Sequence, residues 1–126
     1  MTPITLDEIP GGAGFWYLAS PYSAYPGGTE AAVDDVAYIA ARLLALGVPF
    51  YCPVAETHTI AATGIIDHLG HEEWMAHDIP IIAAARGVLV AGMDGWEYSR
   101  GVTEEIEIAR EAGKPVLLLA PISAAQ

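Results

Sequence analysis

Apolar positions along the chain gather into four short continuous runs separated by longer amphipathic stretches. The runs are "FWYLAS" at 15–20, "VPFYCP" at 48–53, "GVLVAG" at 87–92 and "PVLLLA" at 115–120. Runs of this length, bounded by Gly and Pro, predict strands buried on both faces of a sheet. Between the first two, "TEAAVDDVAYIAARLLAL" sets Val33, Val36, Ala40, Leu43 and Leu44 at helical spacing. Thr29 is a natural N-cap for this helix and Gly47 its stop.

The stretch from Val54 to Pro80 is the least regular. It predicts a short helix over 56–63, a loop around Gly64–Gly70 and a helix over 71–85 that Pro80 kinks or restarts. A last helix spans Ser99 to Ala112, with Gly113 after it. Residues 1–14, ending in "GGAG", read as a flexible lead-in to a single domain over 15–126. The order β-α-β-α-α-β-α-β predicts an α/β fold, three-layer and flavodoxin- or Rossmann-like. Its parallel sheet of four or five strands would carry helices on both faces. Ligands of such folds sit outside the carboxyl ends of the strands, where the strand order reverses. Three loops reach that edge here: "ASPYSAYPGG", "CPVAETH" and "AGMDGWEYSRG".

Composition narrows the partners. Of 126 residues, 53% are hydrophobic, which suits a chain with its own core. Five Lys and Arg stand against 16 Asp and Glu, a formal net charge of −11. That field repels nucleic-acid polymers and anionic membranes, which are bound by neutralising phosphates, and leaves a small molecule as the expected partner. No apolar run reaches the roughly 18 residues of a membrane span. "MTPITLDEIPGG" has neither the basic nor the apolar region of a signal peptide, and the single Cys52 forms no internal disulfide. A cytoplasmic location is the expectation.

The chemistry-bearing residues cluster near the same edge. In the last helix Glu104, Glu107 and Glu111 share a solvated face, whereas Glu105 has Gly101, Val102, Ile108 and Ala109 as its helical neighbours. Glu105 is therefore either a border residue reaching water past Gly101 or a working acid. Ser99 is an N-cap, an anion ligand together with the N–H groups near Gly101, or both. Asp78 shares an apolar face with Trp74, Ile81 and Ile82, so it needs a partner or a task, unless it caps a helix restarting at Pro80. Tyr17 in the first strand can hydrogen-bond a carboxylate at the ligand edge, and Ser20, Pro21, Tyr22 and Ser23 follow it. His58 lies near the end of the second strand. With Asp67, the histidines His58, His68 and His71 form a thinner case for a metal-assisted hydrolase, since paired Cys and HExxH are absent. No cofactor motif is present: there is no GxGxxG, no Walker-type lysine loop and no GxSxG.

Taken together, "YLASPYS", Asp78 and "SRGVTEEIEIAREAGKPVLLL" resemble the nucleoside 2-deoxyribosyltransferase-like superfamily. That superfamily includes nucleoside deoxyribosyltransferases and nucleoside 5′-monophosphate N-glycosidases. The resemblance implies cleavage or transfer of N-glycosidic bonds of (deoxy)nucleosides or their monophosphates. Glu105 would be the nucleophile that forms a glycosyl-enzyme, Tyr17 would orient it, and Asp78 would assist at the sugar or the departing base. Ser99 falls where the monophosphate hydrolases contact the 5′-phosphate, and Trp96 is placed to stack on the base. A homo-oligomer, dimer or tetramer, is also implied. The rival expectation is a non-catalytic nucleotide-binding module on the same fold.

Overall fold

The computed structural model describes residues 1–122 of the chain. Four strands, β1 (Trp16–Ala19), β2 (Phe50–Tyr51), β3 (Gly87–Val90) and β4 (Val116–Leu118), form one sheet. The spatial order is β2-β1-β3-β4 and every pairing is parallel. Four helices accompany them: α1 (Thr29–Ala45), α2 (Pro53–Ala61), α3 (His71–Ala84) and α4 (Arg100–Glu111). The fold is thus the expected α/β architecture with a four-stranded parallel sheet.

Alternation along β1 divides the core in two. Trp16 and Leu18 face Val36, Ile39 and Leu43 of α1 on one side of the sheet. Tyr17 and Ala19 face Ile82 of α3 and Val102, Ile106 and Ala109 of α4 on the other. All four β1 residues are fully buried, so the strand is apolar throughout instead of alternating with polar residues. Such double coverage produces the continuous runs read in the sequence.

Four features differ from expectation, each for a local reason. The first is α2, which begins at Pro53, a residue suited to a first turn, and spans Pro53–Ala61 in place of 56–63. Gly28, not Thr29, occupies the cap of α1, and Gly47 follows its end at φ 74°, the left-handed stop that glycine adopts freely. Helix α3 runs without interruption through Pro80. Asp78 is therefore inside a helix and caps nothing. The lead-in is also not loose over residues 4–9: Ile4 bridges in parallel to Leu119, and Leu6 is buried in a short 3-10 turn, Leu6–Glu8. At the far end of α3, the Lys114 ammonium donates to the carbonyls of Ala83 and Ala85, satisfying acceptors that the helix leaves open.

Strand order reverses beside β1, because the chain passes from β2 at one side to β3 at the other. The loops after β1 and β3 diverge there, and the crevice between them opens at the carboxyl ends of the strands.

Candidate active site

A cavity of about 560 Å³ fills that crevice, within the roughly 300–1,000 Å³ range of small-molecule sites. Its walls come from the loop after β1, the start of α2, the pocket-facing side of α3, and the segment Gly95–Gly101 leading into α4. Ser20, Pro21, Tyr22, Ser23, Ser99, Gly101, Asp78 and Glu105 all border it. Tyr17 lies beneath, fully buried, and its hydroxyl donates a hydrogen bond to Glu105 Oε2.

Glu105 is only 6% exposed although three other glutamates share its helix. Helical geometry makes the difference: Val102, Ile106 and Ala109 on the same side of α4 are buried against the sheet, while Glu107 and Glu111 face water. Burial pushes the Glu105 carboxyl up to about 8. The Tyr17 hydrogen bond pulls it down, and the neighbouring Asp78 and Glu104 carboxylates push it up again. Tyr17 is itself raised far above a free phenol, by burial first and then by the Glu105 and Asp78 charges. Asp78 is 8% exposed and also raised, chiefly by burial. Its Oδ1 and the Ser20 hydroxyl are the buried side-chain polar atoms left without a protein partner among the described residues. Both residues border the cavity, so each offers a ligand a hydrogen bond that the protein does not use.

These shifts have a consequence for stability. The folded protein holds the Glu105 proton up to about pH 8, whereas the unfolded chain releases it near 4.5. Stability is thus full below the lower value and declines as pH rises through this window, by at most about 1.4 kcal/mol per pH unit. Glu105→Gln has no such decline. Its melting temperature relative to wild type should climb between pH 5 and 8 and level off above, and parallel curves would refute the buried acid.

Ser99 is the N-cap of α4, its Oγ accepting from the Val102 N–H at 3.3 Å. It borders the cavity as well, so the two roles coexist. Two of the expected contact residues fall outside the cavity lining. His58 sits in α2, inside the helix expected over 56–63, which starts earlier, at Pro53. Its Nδ1 meets the Tyr22 hydroxyl at 2.9 Å and its Nε2 meets Glu30 at 3.1 Å, which places it behind Tyr22 and outside the cavity lining. Trp96 opens a 3-10 turn, Trp96–Tyr98, and packs inward on the core of Val102 and Ile106. Trp74 and Tyr98 line the cavity instead.

The wall contributed by α3 escaped the sequence reading as a unit. His71, Trp74, Met75 and Asp78 all border the cavity and follow the i, i+3, i+4, i+7 track of one helix face. That spacing was the available signal, obscured by Pro80. At the rim, His71 Nε2 lies 2.8 Å from Glu104 Oε2, and Arg100 Nε donates to Glu104 Oε1 at 3.1 Å. The other histidines do not join them: among the described residues no three His, Cys, Asp or Glu side chains come together as a metal site. The donor set of a His/Asp metal-assisted hydrolase is not assembled.

The model of one family matches residues 14–121, which include every residue of this cavity. The chain belongs to the DUF1937 family. Its description is a domain of unknown function. No curated protein matches the chain. In this DUF1937 domain the candidate site therefore rests on geometry: two raised carboxyls and a buried tyrosine beneath a mixed polar and aromatic crevice. Among the described residues no helix is long and apolar enough to cross a membrane.

Proposed function

We propose that this DUF1937 protein cleaves or transfers the N-glycosidic bond of nucleosides or their 5′-monophosphates through a covalent intermediate on Glu105. The observation that carries the reading is the Glu105 carboxylate, buried at the cavity, held by Tyr17 and paired with the raised acid Asp78. Two carboxyls in one low-dielectric site do not ionise independently; the pair keeps a proton over a wide pH range. In the reactive arrangement Glu105 is ionised. The Glu105 carboxylate attacks the anomeric carbon as the bond to the base breaks; the base leaves with the bonding electrons and takes a proton from solvent, while Asp78 assists at the sugar or at the departing base. Oxocarbenium character on the sugar is stabilised by the carboxylate that then captures it. Water or a second base completes the cycle, giving a hydrolase or a transferase. Tyr17 keeps Glu105 aimed, Trp74 and Tyr98 offer stacking surfaces for the base, and Ser20 offers a hydrogen bond to the sugar.

The test is direct. Nucleosides and 5′-monophosphates are incubated with the protein and free base is followed by chromatography. A 2′-fluoro-2′-deoxynucleoside is used in parallel to slow turnover and trap the intermediate. Base release, together with a sugar adduct on the peptide containing Glu105, is the expected result. Thermal stabilisation by the same compounds without release or adduct would instead support a non-catalytic binding module. Dimeric or tetrameric assembly in the cytoplasm completes the proposal, and sedimentation measures the assembly.

A further inference from the structure

We infer that Glu104 is a specificity-determining residue: it engages Arg100 and His71 at the cavity rim and so selects an uncharged nucleoside over a 5′-phosphorylated one. This rests on the N-glycosidase reading and adds the substrate class to it.

Among the described residues, which include all five Lys and Arg of the chain, Arg100 alone borders the cavity, and His71 is the only histidine that does. Both are already held by one carboxylate, His71 on Oε2 and Arg100 on Oε1 of Glu104. The His71 contact ties the start of α3 to the start of α4 across the mouth, while the Arg100 contact is an i,i+4 pair within α4. The remaining charged groups of the lining are the acids Asp78 and Glu105.

A 5′-phosphate carries about −1.5 to −2 charges at neutral pH and calls for Arg or Lys donors. To recruit Arg100 it would have to displace Glu104 and then leave that carboxylate unpaired beside it. Like charges in such proximity penalise the wrong ligand more than they improve the right one. The open N-terminus of α4 attracts anions, but its effect is small at an exposed end, and the Ser99 hydroxyl already takes the Val102 N–H. A free 5′-hydroxyl needs none of these cations. It can bond to neutral groups such as Ser23, Thr57 or Ser99.

The experiment compares kcat/KM for a 2′-deoxynucleoside and its 5′-monophosphate in wild type, Glu104→Gln and Glu104→Ala. Wild type should favour the nucleoside by about tenfold or more, and each variant should lower that ratio by about tenfold. The Glu104 side chain is 35% exposed, so neither change empties the core. A second measurement does not depend on turnover. Amide NMR signals of residues 99–101 are followed during titration with inorganic phosphate and with 2-deoxyribose 5-phosphate. They should stay still in wild type and move in both variants. A wild-type preference for the monophosphate, a ratio that neither variant changes, or phosphate binding by wild type would each overturn the inference. If no compound releases base from any form, the N-glycosidase reading is what fails, and the titration alone decides the role of Glu104.

Discussion

Glu105→Gln is expected to lower base release by about a thousandfold or more, because a neutral amide can neither attack the anomeric carbon nor offset its developing charge. The substitution is nearly isosteric and retains an acceptor for the Tyr17 hydroxyl, so the fold should survive it. The wild-type profile carries a second signature. With the carboxyl raised to about 8, roughly one molecule in ten carries ionised Glu105 at pH 7. Turnover should therefore rise with pH and level off above about 8. Tyr17→Phe removes the hydrogen bond that lowers this acid, and the rising limb should move to still higher pH. Rate measurements from pH 5.5 to 9.5 on the three proteins decide the matter. A Glu105→Gln protein retaining more than a tenth of wild-type rate would exclude Glu105 as nucleophile.

Gly92→Ala should be strongly damaging although it lies outside the site. A Cβ built at Gly92 runs into the backbone carbonyl oxygen of Leu119 and lies 3.2 Å from the Pro121 nitrogen. Backbone atoms cannot step aside as a flexible side chain does. The intrusion would force apart the end of the β3–β4 ladder, where the Leu119 N–H donates to the Val90 carbonyl at 2.9 Å. A loss of about 3 kcal/mol is expected, lowering the melting temperature by about 10 °C in a chain of this size. Gly11→Ala is the control, since nothing lies within 4 Å of its built Cβ and its φ is unrestricted. Calorimetry on both variants checks the pair. Equal melting temperatures would contradict the close strand approach.

The sheet was legible because burial leaves a plain mark, four apolar runs closed by Gly or Pro, complete in β1 and β3 and partial in the outer strands β2 and β4. Glu105 was legible for a related reason: its helical neighbours are small or apolar, unlike those of Glu107 and Glu111. Asp78 was half legible. Its apolar face was apparent, but Pro80 suggested a helix boundary that packing of Met75 and Ile82 overrides. His58 and Trp96 lie outside the cavity lining, because linear nearness to a strand end does not fix where a ring points. A helix beginning at Pro53 and a 3-10 turn at Trp96 point those rings elsewhere. The His71–Glu104–Arg100 bridge joins residues 33 positions apart, and helical spacing alone does not pair two different helices.

The attachment of Ile4 also bears on how this chain avoids sticking to others. The Ile4 N–H donates to the Leu118 carbonyl at 2.8 Å, and the Ala120 N–H donates to the Ile4 carbonyl at 2.7 Å. β4 is the outermost strand on its side of the sheet, and an uncovered strand edge is a template for adding foreign strands. Ile4 takes up donor and acceptor positions there that an incoming chain would need, and the 3-10 turn that follows leads the backbone away from the edge. Cutting back the first eight residues would leave the candidate site's own residues intact yet strip this guard. The resulting fault would be aggregation, and it would arise far from any residue that touches substrate.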